Sequence, residues 1–217
     1  MKKLIKNFNV NNLMKVKKVL TVLFIATLIS VSSCSKSDPA PAPVAPVVVT
    51  PVVYQEENYF SGYLTTTGFD QANVSTIDLG FNELGTEFTP TVKGKMTKIY
   101  VKLPAINTTL RVTVWDKAAG TKLLTETIVV NSAGTVILQD IADLDLVKDK
   151  VYAITMNTND WYNRKRTDGA AASYPVTVGN IKINGYKYIA GTAQAYPTVV
   201  NNTVNSGDLY FSFLRTE

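Results

Sequence analysis

In TKIYVKL, residues 97–103, apolar and polar side chains alternate so that Ile99, Val101 and Leu103 share one face and Lys98, Tyr100 and Lys102 the other. A period of two marks an extended strand buried on one side. TLRVTVW, 109–115, repeats it, with Leu110, Val112 and Val114 inward and Arg111, Thr113 and Trp115 outward. From residue 54 onward no stretch sustains a helical period. Short β-branched and aromatic runs recur instead between clusters of Gly, Asn and Asp. Strands are expected near 58–65, 86–92, 96–103, 109–115, 122–130, 135–141, 150–157, 176–189 in two pieces, and 208–215. The fold class they imply is all-β, a sandwich of two antiparallel sheets.

Two features bear on connectivity. Pairing 97–103 with 109–115 as a tight hairpin would set Lys102 opposite Arg111, and directly opposed like charges are unfavourable. The chain is therefore expected to cross from one sheet to the other between them. In LVKDKVY, 146–152, the spacing Leu146, Asp149, Tyr152 is that of a tyrosine corner, in which a Tyr hydroxyl bonds back to the preceding turn. Both point to an immunoglobulin/fibronectin-III-like Greek-key sandwich. Between its sixth strand and the closing strand lies an extended insertion, 158–207, where a short connection would be usual. Insertions of that length commonly carry function.

The chain has 22 Lys and Arg against 17 Asp and Glu. That basic balance belongs to its beginning. Lys2, Lys3, Lys6, Lys15, Lys17 and Lys18 fall within residues 1–33, which hold no acid; taking these six from 22 leaves 16 cations against 17 acids, a net charge of −1. No nucleic-acid partner is expected. The basic KVKK is followed by an uncharged apolar run, VLTVLFIATLISVSS, too short to span a bilayer, and then by Cys34. Residues 1–33 thus read as an export leader, with Met14 an alternative start. VSSC resembles the lipobox of bacterial lipoproteins, with Val where Leu is preferred. The resemblance implies a lipid thioether on Cys34 and anchoring to a membrane, with Ser35 compatible with the outer one. Cys34 is the chain's one Cys, so no disulfide forms within it. Residues 34–53 add a linker with five prolines between 39 and 53, a semi-rigid stalk of roughly 45 Å if extended as polyproline II. Residues 54–217 form the β domain.

Phe88-Thr89-Pro90, Val114-Trp115-Asp116, Gly120, Leu123-Leu124, Tyr152 and the closing GDLYFSF, 207–213, resemble a family of bacterial extracellular domains of unknown function. The resemblance covers about residues 80–157 and the last ten. It implies an accessory or binding role at the cell surface and names no ligand.

Catalytic candidates are few. The chain has no His, which removes His-based triads and His metal ligands. It holds neither a Gly-rich phosphate loop nor a nucleophile elbow. Acids cluster at Glu56-Glu57 and at Asp140, Asp143, Asp145 and Asp149. Paired carboxylates would suffice for glycoside hydrolysis, but solvated turn acids are the simpler reading. No cofactor and no metal site is expected, since no calcium-loop pattern occurs. The strongest candidate surface opens the insertion: Asn159, Asp160, Trp161, Tyr162, Arg164 and Arg166, read as a loop sharing one end of the sandwich with Asn107. Aromatic rings offer apolar faces to sugars, and amides, carboxylates and guanidinium groups bond hydroxyls. The expected function is non-catalytic binding, of carbohydrate or of another surface protein. The alternatives are an adhesion module and a carboxylate-dependent glycosidase.

Overall fold

The computed structural model describes residues 52–70 and 75–217, with backbone alone at 75–79. The leader, Cys34 and the linker up to residue 51 lie outside the described residues. The first element is β1, Glu56–Asn58, and the second is a helix, α1, Phe60–Thr67. A strand was expected at 58–65, because Tyr, Phe, Leu and Thr crowd there. The ends of the segment decide otherwise. The Asn58 side chain accepts a bond from the Phe60 N–H at 3.1 Å, and Gly68 closes the helix in the left-handed region at φ 77°, where glycine is favoured. One helical turn apart, Tyr63 and Thr67 are both buried, and the Thr67 hydroxyl donates to the Tyr63 carbonyl.

Strands then follow almost without interruption: β2 Ser75–Pro90, β3 Gly94–Lys102, β4 Asn107–Asp116, β5 Thr121–Val130, β6 Val136–Leu146, β7 Tyr152–Lys165, β8 Val176–Val178, β9 Ile181–Ala190, β10 Val199–Val200, β11 Val204–Ser206 and β12 Asp208–Arg215. Two antiparallel sheets pack face to face, so the protein is the all-β sandwich its sequence predicts. One sheet runs β1-β12-β3-β6 and the other β10-β9-β2-β7-β4-β5. β3 and β4 lie in different sheets, as the Lys102–Arg111 conflict requires. The Tyr152 hydroxyl accepts the Val147 N–H at 3.0 Å, which is the expected corner.

The strand order refines the Greek-key expectation. An immunoglobulin-like order would set the closing strand beside the sixth, whereas β12 pairs with β1 and β3, and β2 takes the place beside β7. With β8 to β11 set aside, β1-β12-β3-β6 against β2-β7-β4-β5 is the eight-stranded, two-Greek-key order of a jelly roll. Its core lies between the sheets: Leu84, Phe88, Val112, Val114, Ile154 and Met156 from one, and Ile99, Val101, Phe211 and Phe213 from the other. Phe88 packs against Phe211 with ring centroids 4.6 Å apart and stacks on Tyr152 at 5.7 Å.

The insertion differs most from its expected form. Its first eight residues prolong β7, and part of the remainder widens the same sheet as β8, β9, β10 and β11. Residues 191–198 then cross the outer face of that sheet. The Gln194 amide donates to the Thr113 and Thr125 hydroxyls, and Tyr196 meets Trp115 edge-on with centroids 6.0 Å apart. Thr113 and Trp115, expected on a wet face, are therefore buried. The Trp115 indole N–H donates to Thr155 Oγ1 at 2.8 Å. Beneath the same crossing Glu87 accepts from Lys117, Lys187 and Tyr196. Burial works to raise its pKa, and the three donors outweigh that and hold it below the usual carboxylate range. Asp116 is also held low by Lys150 at 2.6 Å. Carboxylates lowered in the fold stabilise it above their unfolded pKa, and that stability is lost as pH falls through the folded value. The thermal midpoint should stay level from neutrality to about pH 5 and drop below about pH 4. In Glu87→Gln, scanning calorimetry should show a shallower drop.

Candidate functional site

Alternation continues along the far half of β7 and sorts the candidate residues into two sets. Trp161, Asn163 and Lys165 line one side of a cavity of about 680 Å³. Leu84, Asn82 and Phe81 of β2 and Tyr186, Tyr188 and Ala190 of β9 contribute to the lining, as do Val204 and Ser206 of β11. Beyond residue 157, where its pairing with β4 ends, β7 takes β11 as its partner, with Lys165 opposite Val204 and Asn163 opposite Ser206.

Connectivity explains why a cavity forms here. β10 pairs with the outer edge of β9, and β11 lies on the other side of β7, so four inter-strand gaps separate them. In a flat sheet that distance is about 19 Å. The step from Val200 to Val204 can reach only about 14 Å. The sheet must therefore curl, and residues 201–203 pass over its concave side. Asn201 and Thr203 of this crossing also line the cavity. The Asn201 side-chain oxygen accepts both the Thr203 N–H and its hydroxyl. Gly207 links β11 to β12 at φ 82°, where a Cβ would come within 2.2 Å of the Met156 methyl.

The lining is aromatic and amide-rich. Trp161 is 6% exposed, and its indole N–H has no acceptor among the described residues. An unpaired buried donor costs free energy that a ligand acceptor could recover. Asn163 uses its oxygen to accept the Ser206 hydroxyl at 2.9 Å. Tyr186 and Tyr188 lie at 6.3 Å with their rings 22° apart. Burial pushes the Tyr186 phenol well above its usual range, so it stays protonated at neutral pH.

Of the residues expected to form a binding loop, the structure brings only Trp161 to the cavity, and the segment is a strand. Arg164 is held by Asp208 through two bonds of 2.7 and 2.6 Å. Arg166 forks onto Asp168 and donates to the Thr67 carbonyl at the end of α1. Tyr162 lies under the Lys102 ammonium, 5.1 Å from ring centroid to nitrogen. Asn159 and Asp160 are half-buried within β7, where the Asp160 N–H donates to Thr158 Oγ1. Asn107 accepts the Thr109 N–H at the start of β4. These six are not brought together, because their side chains serve local hydrogen bonds, ion pairs and the strand's other face.

Three of the six acids considered for hydrolysis are held in structural contacts. Glu56 accepts from Thr97 and Lys98, Glu57 from Asn180, and Asp143 from Lys95. Among the described residues no group of three His, Cys, Asp or Glu side chains is placed to hold a metal ion. Nor, among them, is any helix long and apolar enough to cross a membrane. No family model, no curated protein and no solved structure matches this chain.

Proposed function

We propose that this chain is an exported, lipid-anchored surface protein whose jelly-roll domain binds carbohydrate without catalysis, in the cavity beside Trp161. The observation that carries the binding reading is the lining itself: four aromatic residues, Phe81, Trp161, Tyr186 and Tyr188, set among the amides of Asn82, Asn163 and Asn201. Sugars present apolar C–H faces and polar hydroxyl rims, and a cavity pairing rings with amides complements both. The jelly roll hosts lectins and capsid proteins alike, so the fold does not decide the function.

A glycan array probed with the full chain in detergent tests the reading. Binding should appear and should weaken at least about thirtyfold in Trp161→Ala, as expected for a central buried anchor. Because Trp161 also packs into the core, Tyr188→Ala is the companion variant. Its side chain is only partly buried, and it should weaken binding with little change in the unfolding midpoint. Binding unaltered in both variants would move the site elsewhere. The anchoring reading rests on the leader and on VSSC. Cells expressing the protein should incorporate labelled palmitate into it, and Cys34→Ala should abolish the label.

An adhesion module is the second reading, favoured by exposed apolar residues on the two sheet-edge strands, Leu123 and Val129 of β5 and Val136 and Leu138 of β6. Unpaired edges with apolar side chains invite pairing with another chain. Light scattering that showed assembly rising with concentration would support it.

A further inference from the structure

Three consecutive cations close β7 and continue past it, and they differ in what they meet. Arg164 is spent on Asp208 and Arg166 on Asp168, each through a bidentate pair. Lys165, between them, points the other way by strand alternation, lines the cavity, and has no ion pair among the described residues. Among the described residues no Asp or Glu lines the cavity with it.

The neutral groups lean the same way. The Asn201 oxygen already accepts two bonds and the Asn163 oxygen one. The buried Trp161 indole N–H has no acceptor among the described residues, and the side-chain bonds that Asn163 and Asn201 make there run through their oxygens. Asn82 is the exception, its amide N–H donating to the Gly80 carbonyl at 3.0 Å; the described lining otherwise offers donors and a positive charge and no negative one. A ligand that matches it is rich in acceptors and carries an anion.

Resting on the reading of this cavity as a carbohydrate site, we propose that its ligand is an acidic sugar, a glycan bearing a carboxylate, with the Lys165 ammonium as the partner of that carboxylate. A singly charged group is the better match for one ammonium. A phosphate or sulfate site more often gathers Arg forks or several backbone N–H groups, and both arginines of this run are already committed. β-Pairing with β11 fixes the backbone of Lys165 at the cavity rim, opposite Val204, so the charge is delivered from a rigid element.

The test is an array carrying uronate- and sialate-terminated glycans, the same glycans reduced to their neutral alcohols, sulfated glycans, and ordinary neutral ones, probed with the full chain in detergent. Carboxylated glycans should bind at least about tenfold more tightly than their reduced forms, the scale of one hydrogen bond to a charged group. Lys165→Gln should lower their binding to the level of the reduced forms, and Lys165→Arg should retain most of the preference. Equal binding of carboxylated and reduced glycans, or binding confined to sulfated ones, would overturn the acidic-sugar assignment while leaving the cavity a glycan site. A carboxylate preference that persists in Lys165→Gln would overturn the role given to that residue. An array with no signal for any glycan would overturn this inference and the carbohydrate reading together.

Discussion

Gly85→Ala should cost more than about 3 kcal/mol of folding stability, or prevent folding, although it adds a single methyl group. Gly85 lies in the middle of β2 and is paired on both sides, with Thr155 of β7 and Lys187 of β9. A Cβ built there would fall 1.9 Å from the Ile154 carbonyl oxygen and 2.8 Å from the Thr155 Cα. Both obstacles are backbone, so no rotamer change relieves them. The methyl must push β7 away from β2 at the centre of the widened sheet, and the cavity depends on the course of both strands. Gly120→Ala is the control: a Cβ there meets nothing within 4 Å, but φ is 63°, so it should cost only about 1–2 kcal/mol. Urea unfolding of the three proteins separates the cases. Equal midpoints for the two variants would show that β2 and β7 do not approach as closely as described.

The second large effect is expected at Arg111. Its Nη2 donates to Glu83 Oε2 at 2.8 Å, and the Glu83 side chain has no exposure while that of Arg111 keeps 27%. The other Glu83 oxygen accepts the Thr155 hydroxyl, which in turn accepts the Trp115 indole N–H. Arg111→Met would leave a buried carboxylate with one neutral donor, at a cost of about 3–5 kcal/mol. Replacing both partners removes the stranded charge along with the pair, so Arg111→Met/Glu83→Met should be more stable than Arg111→Met alone. Strict additivity of the two single changes in a double-mutant cycle would contradict this coupling.

Arg111 also shows where sequence reasoning stopped. Alternation placed Leu110, Val112 and Val114 in the core correctly, because one buried face imposes a period of two whatever the rest of the fold does. It placed Arg111, Thr113 and Trp115 outward, which is true of the sheet. It could not show that residues 191–198 return from far along the chain to cover that face. β2 was legible only from residue 86, since Gly80, Glu83 and Gly85 interrupt its pattern before that with residues that strands usually avoid. Of these, Gly85 serves the close approach to β7, and Glu83, like Glu87 after it, the buried ion pairs.

The site was legible in one residue. NDWYNRK reads as a loop because Asn, Asp and Arg crowd around its aromatics. Read as a strand, it would have separated Trp161, Asn163 and Lys165 from Tyr162 and Arg164. The spacing of Tyr186 and Tyr188 in YKY carried the same signal for β9. What no local pattern holds is the curl that brings the two strands and the 201–203 crossing around one space. It follows from the shortness of a link between distant edges, and so from topology.

The location of the ligand is the most direct test. In a two-dimensional nitrogen–proton spectrum the chain's two tryptophans give two indole signals, one from Trp161 in the cavity lining and one from Trp115, sealed against Thr155 and Tyr196. Titration with a glycan selected from the array should shift the Trp161 indole signal and the side-chain amides of Asn163 and Asn201, and leave the Trp115 signal in place. A Trp161 signal that stays fixed at saturating glycan would contradict the proposed site.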